Sequence, residues 1–167
     1  EASIDMARLI NEKPEAKDVR FVLSTGRGQY ETYLAKAQGL DHVLEIKDFI
    51  YDMHKWMAGS DLLVSRAGAI SSSETAMLGR PSIMVPYPFA AEDHQTMNAQ
   101  AFVNVGAAVL IPDDELTGER LYKEVSKLLR DPVKLDAMGR AAKVLAREDA
   151  ADLIAEEVWR LARNPHE

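Results

Sequence analysis

Short apolar runs alternate along the chain with longer stretches whose apolar positions recur at helical spacing. The runs at 20–24 (RFVLS), 42–47 (HVLEIK), 61–65 (DLLVS), 82–85 (SIMV) and 107–111 (AAVLI) predict five strands. Helices are predicted between them. The first covers 2–12, with Ile4, Ala7, Leu9 and Ile10 facing inward. The next covers 29–38 and ends at Gly39, and a short one over 51–59 carries Met53, Trp56 and Met57. A helix over 71–78 is stopped by Gly79 and Pro81, and one capped by Asp93 runs to about residue 105 and closes at Gly106. After Pro112 three helical segments follow, over 117–129, 133–146 and 149–162. Their acidic, solvated face lies over an apolar stripe of Leu121, Val125, Leu128 and Leu129.

Strands alternating with helices mean an α/β fold. The expectation is a doubly wound, Rossmann-like parallel sheet covered on both faces. The run at 61–65 reads as a strand buried on both faces. Such sheets bind ligands beyond the C-terminal ends of their strands. The stretches 25–28, 48–51, 66–72 and 86–95 all fall at that edge. No repeat, linker or composition break divides residues 1–167, so they are read as one domain. A doubly wound domain opens with a strand and a glycine-rich turn. This chain enters at a helix, so the first strand is expected upstream of Glu1 and missing here.

Composition removes several function classes. With no cysteine, disulfides and thiolate zinc sites are excluded, and a reducing cytoplasm fits. No apolar run approaches the ~20 residues that span a bilayer. The opening EASIDMARLI is amphipathic and acidic, unlike a signal peptide. A formal net charge of −7 speaks against a nucleic-acid surface and an electrostatic membrane anchor. It leaves room for a local anion site at a helix N-terminus.

Ser71, Ser72 and Ser73 fall in the predicted first turn of the 71–78 helix, where unpartnered amides and the helix dipole favour phosphate. Glu74 lies one step inside, placed to accept hydrogen bonds from two neighbouring hydroxyls. Gly68 reads as a sharp turn that brings the backbone close to a bulky group. The plainer reading of this stretch is a capped helix. The loop YPFAAEDHQTMNA brings Glu92, Asp93, His94 and Gln95 to the same edge, as ligand contacts or as solvated first-turn residues. No acid–x–acid triplet or histidine pair completes a metal set there. Arg66 directly follows the third strand, as a phosphate or substrate contact or as the partner of a carboxylate. Gly26 and Gly28 read as a turn. His54, Trp56 and the methionines read as core or surface. No Ser/His/Asp triad spacing or reactive cysteine is present.

FIYDM (49–53), SDLLVSRAGAISSSETAMLGRPSIMVPYP and EDHQTMNAQAFVNVGAAVLI together resemble the C-terminal half of the MurG family. That family comprises the UDP-N-acetylglucosamine transferases that convert lipid I to lipid II in peptidoglycan synthesis. The resemblance covers essentially the whole chain. It implies the donor-nucleotide domain of a two-Rossmann (GT-B) glycosyltransferase. By resemblance, Ile50 holds the uracil through its backbone. Ala69, Ile70, Ser71, Ser72 and Ser73 line the diphosphate and sugar region, Glu74 binds the ribose hydroxyls, and Gln95 binds the sugar hydroxyls. Ile70 stands where many members have leucine, Ser71 where they have threonine, and His94 where some have glutamine.

The resemblance also implies an inverting displacement by the acceptor hydroxyl, with UDP leaving toward the helix amides. It implies no cofactor and no metal. The acceptor domain, its histidine near the reaction centre and a glycine-serine loop would lie upstream. The lipid I acceptor would bind through that missing half. The membrane patch is assigned there too, making the full-length protein peripheral on the cytoplasmic face of the bacterial inner membrane. No general base can be named in this chain. Diacylglycerol glucosyltransferases and UDP-N-acetylglucosamine epimerases share the glycine turn and the glutamate, but the EDHQTMNA stretch favours MurG. A nucleotide-binding subunit of a split glycosyltransferase stays open. A flavodoxin-like or receiver domain lacks support, because no flavin loop or acidic pocket is seen.

Overall fold

The computed structural model describes residues 1–13 and 18–163. Its elements run α1 (Ala2–Asn11), β1 (Phe21–Ser24), α2 (Tyr30–Lys36), β2 (Leu44–Lys47), α3 (Met53–Gly59), β3 (Leu63–Ser65) and α4 (Ala69–Leu78). Then follow β4 (Ser82–Met84), α5 (His94–Asn104), β5 (Ala108–Leu110), α6 (Gly118–Leu129), α7 (Pro132–Lys143) and α8 (Ala150–Arg163). Every predicted strand and helix is present, most of them slightly shortened at the ends.

All strand pairs are parallel. β1 pairs β2 with Phe21 opposite Leu44, β3 pairs β4 with Leu63 opposite Ser82, and β4 pairs β5 with Ser82 opposite Ala108. The sheet is hydrogen-bonded as two ladders, β1-β2 and β3-β4-β5, and no ladder joins β1 to β3 among the described residues. This corrects the reading of 61–65 as buried on both faces. Ser82, Ile83 and Met84, on the strand flanked on both sides, are wholly buried, whereas Val64 on β3 is 43% exposed. Among the described residues, β3 is hydrogen-bonded to a neighbouring strand on one side only.

Alternation along β4 places the two cores. Ile83 and Val85 point to one face, into a cluster with Ile4, Ala7 and Ile10 of α1 and Leu121, Val125 and Leu128 of α6. Met84 points to the other face and packs with Ala76 of α4, Ala99 and Phe102 of α5, and Ala142 of α7. Of the expected inward positions on α1, Leu9 is only half-buried, and Met6 is buried in its place. The predicted α6 stripe is correct, with Leu129 at its half-buried rim. α1 and α6 approach closely. A Cβ added at Gly118 would lie 2.4 Å from the Asp5 Cβ, so only glycine fits.

α3 buries Met57 and leaves Met53, His54 and Trp56 exposed. α8 buries none of its side chains, and Leu153, Ile154, Val158, Trp159 and Leu161 all stand exposed on it. Within the described residues, no helix is long and apolar enough to cross a membrane.

Candidate functional site at the C-terminal sheet edge

The chain leaves β3 through Arg66, Ala67 and Gly68 and enters α4 at Ala69. The helix therefore begins two residues before the first predicted serine, and the reading needs correcting. Ala69 and Ile70 extend a helix more readily than serine, whose hydroxyl suits caps and first turns. The Ser72 N–H already donates to the Gly68 carbonyl at 2.9 Å. Helix geometry leaves the amides of Ala69, Ile70 and Ser71 unpartnered at the positive end of the dipole. The free amide end of α4 therefore comprises Ala69, Ile70 and Ser71, while Ser72 and Ser73 already lie within the hydrogen-bonded helix.

The three serines diverge. Ser71 is half-buried, and its carbonyl accepts from the Thr75 hydroxyl at 2.7 Å. Ser72 turns inward, 7% exposed, and its hydroxyl has no partner among the described residues. Ser73 and Glu74 are exposed, on the outer face with Ala69, Ile70 and Met77. Glu74 thus lies in the second turn, and its carboxylate makes no hydrogen bond or ion pair among the described residues. Gly68 differs from expectation too. Its φ of −67° and ψ of 153° are ordinary extended values, so no sharp glycine turn exists. A Cβ there would meet nothing within 4 Å, so glycine leaves open space beside the helix end.

The 86–95 loop follows β4. Glu92 and Asp93 both adopt left-handed backbone, with φ of 50° and 53°. This conformation costs a non-glycine residue roughly 1–2 kcal/mol. Asp93 precedes α5 but does not cap it with its side chain, contrary to expectation; its carboxylate accepts from the Thr96 hydroxyl at 2.6 Å. His94 Nδ1 donates to the Ala91 carbonyl at 2.7 Å, a local bond on an exposed ring. Gln95 folds back, its Oε1 accepting from the Tyr87 N–H at 3.0 Å, which leaves its amide N–H groups to donate elsewhere.

Ile50 follows β2 at the same edge. It is buried, 8% exposed. Phe49 and Tyr51 flank it, exposed, with ring centroids 4.9 Å apart in an edge-to-face pair. Sequence reasoning passed over both, although a short aromatic–aliphatic–aromatic run after a strand was the available signal. The Arg27 guanidinium reaches the Tyr51 hydroxyl at 3.2 Å, and Gly26 turns with a φ of 76° to bring it there. Arg66 has carboxylate and carbonyl partners, described below. Among the described residues, no group of three or more His, Asp or Glu side chains gathers to hold a metal ion.

The glycosyltransferase family 28 C-terminal domain matches residues 2–154. The chain belongs to that family. Family 28 relatives named UDP-N-acetylglucosamine–N-acetylmuramyl-(pentapeptide) pyrophosphoryl-undecaprenol N-acetylglucosamine transferase include the protein of Moorella thermoacetica, 40% identical over 92% of this chain. That of Desulforamulus reducens is 37% identical over 89%. The chain spans 43% and 42% of those relatives' own lengths. Among solved structures, Acinetobacter baumannii MurG is similar with a TM-score of 0.77 and 28% identity, over 94% of this chain and 44% of that one. The glycosyltransferase VinC, solved in complex with DTDP, shares the fold at a TM-score of 0.68 and 18% identity, over 96% of this chain and 36% of its own. The parallel α/β architecture is thus that of the family 28 C-terminal domain, and its peptidoglycan-synthesis relatives carry the MurG resemblance.

Proposed function

We propose that this chain is the donor-binding part of an inverting glycosyltransferase that takes N-acetylglucosamine from UDP-N-acetylglucosamine. The observation that carries the reading is the free amide end of α4. It opens at the C-terminal sheet edge, where a Cβ on Gly68 would meet nothing within 4 Å. The diphosphate meets the amides of Ala69, Ile70 and Ser71, which supply both hydrogen bonds and the helix dipole. The exposed Ser73 hydroxyl extends this polar lining, whereas the Ser72 hydroxyl is buried within the fold. The Ile50 backbone N–H and carbonyl pair with the uracil. Glu74 accepts from the ribose hydroxyls, and the Gln95 amide donates to the sugar.

Transfer breaks the bond between the anomeric carbon and the diphosphate oxygen as an acceptor hydroxyl forms its own bond from the opposite side. The electron pair leaves with UDP, so negative charge grows on the diphosphate in the transition state. Amides already aimed at that oxygen stabilise the transition state more than the bound donor. The acceptor, lipid I, and any contact with the cytoplasmic membrane face belong to the part of the relatives that this chain does not span. The full-length protein would make lipid II for the cell wall.

Calorimetric titration tests the reading. UDP and UDP-N-acetylglucosamine should bind this chain with similar strength in magnesium and in chelator, and adenosine diphosphate should bind much more weakly. Equal binding of the two diphosphates, or loss of binding in chelator, would overturn the uridine site or its metal independence.

A further inference from the structure

Arg66 sits where three strand ends meet. It follows β3 directly. Its Nη1 donates to the carbonyls of Val85, at 3.3 Å, and Pro86, at 3.1 Å, both just beyond β4. The same nitrogen is 2.5 Å from Oδ1 of Asp113, which lies just beyond β5. Its guanidinium carbon stands 5.6 Å from the centre of the Tyr87 ring. Tyr87 in turn gives its N–H to the Gln95 side chain at 3.0 Å, and its ring meets Phe89 edge-to-face at 5.7 Å. On the next residue, the Ala67 carbonyl accepts from Asn98 Nδ2 of α5 at 3.0 Å. A continuous set of contacts therefore runs from Asp113 through Arg66 and Tyr87 to Gln95.

We propose that Arg66 and Asp113 are positioning residues, and that they hold the 86–95 loop so that Gln95 meets the donor's sugar. This rests on the donor-site reading above. Three features favour it over a direct phosphate contact. One guanidinium nitrogen is already taken up by two carbonyls and a carboxylate. The Asp113 carboxylate neutralises the charge that would attract a diphosphate. The loop needs an external hold, because two of its residues, Glu92 and Asp93, carry left-handed backbone.

The two roles separate by ligand and by mutant, with the full 167-residue chain. If Arg66 positions Gln95, both Arg66→Ala and Asp113→Asn lower affinity for UDP-N-acetylglucosamine by about tenfold and leave UDP within about twofold, since one hydrogen bond is worth on the order of 1 kcal/mol. Adding Gln95→Ala to Arg66→Ala costs the sugar nucleotide no more than Gln95→Ala alone, as expected of residues acting through one another. A phosphate contact gives the reverse: Arg66→Ala weakens UDP itself, and Asp113→Asn leaves or strengthens it. That pattern overturns the proposal.

Amide exchange without ligand supplies the second readout. Arg66→Ala and Asp113→Asn should both speed exchange at Tyr87 and the amides after it, and leave β4 protected. Unchanged protection of Tyr87 in both variants overturns the hold. If the unmodified chain binds neither nucleotide, the donor-site reading falls and the sugar half of this proposal with it. The exchange result then decides the hold alone.

Discussion

Glu74 is a charged side chain on the open face of α4 with no protein partner among the described residues, and the proposed function gives it the ribose hydroxyls of a ligand. Glu74→Gln keeps the shape but turns one acceptor into a donor facing a hydroxyl. Hydrogen bonds to a charged group are worth ~1.5–3 kcal/mol. UDP affinity should fall by roughly tenfold or more, with the melting temperature little changed, and most of the preference for UDP over 2′-deoxy-UDP should vanish. Unchanged affinity and preference would leave Glu74 as a plain surface charge on α4. Ser82 is the opposite case. It is wholly buried on β4, and its hydroxyl has no partner among the described residues. Leaving a buried hydroxyl unpaired costs about 1–3 kcal/mol. Ser82→Ala should therefore raise stability or leave it unchanged; a loss above about 1 kcal/mol in denaturant melts would show a partner that this arrangement lacks.

α4 shows how much the chain told in advance. Its existence, its stop at Gly79 and its place after a strand all followed from apolar spacing and one glycine, because each is a local property. Gly79 does adopt left-handed backbone, with φ of 60°. The helix start was misplaced because Ala69 and Ile70 carry no capping signal, and serine preference pointed to the wrong turn. The inward turn of Ser72 depends on packing and was invisible. The specific roles expected of Ile50, Glu74 and Gln95 toward uracil, ribose and sugar came from resemblance to a family, whereas residue types alone gave only an anion site near Ser71 with Glu74 beside it. Arg66 was legible as important, but its partners Val85, Pro86 and Asp113 arrive from two other strand ends, which no local pattern encodes. Helix contacts yield a prediction of their own. A Cβ on Gly139 of α7 would lie 2.6 Å from the Gly79 carbonyl oxygen, a backbone atom that cannot swing aside. Gly139→Ala should cost about 1–3 kcal/mol, the usual range for overpacking. Thermal melts check this, and an unchanged midpoint would mean that α7 shifts freely against the end of α4.

On the proposed function, the chain holds one half of a reaction. Its family 28 relatives in Moorella thermoacetica and Desulforamulus reducens are more than twice as long, since the chain spans 43% and 42% of them. An enzyme of this kind needs the acceptor hydroxyl brought in line with the anomeric carbon, and positioning of that sort supplies a large part of catalysis. The chain by itself should therefore bind uridine nucleotides and fail to transfer sugar to lipid I. Turnover by the chain alone, measured by release of UDP in the presence of lipid I, would show that the acceptor site lies within these residues.

Among the described residues one edge of β3 is unpaired, which bears on how this 167-residue chain behaves in concentrated solution. An unpaired strand edge is a template for another chain, and natural proteins guard such edges with charge, proline or a covering element. Here the exposed residue is Val64, in the middle of the run Leu63, Val64 and Ser65, and none of the three carries charge. Copies of the chain should associate edge to edge as concentration rises toward the upper micromolar range, where exposed strand edges become hazardous. Light scattering that grows with concentration, and that Val64→Lys suppresses without lowering the melting temperature, is the expected result. A chain that stays monomeric under those conditions would show that the edge is already guarded.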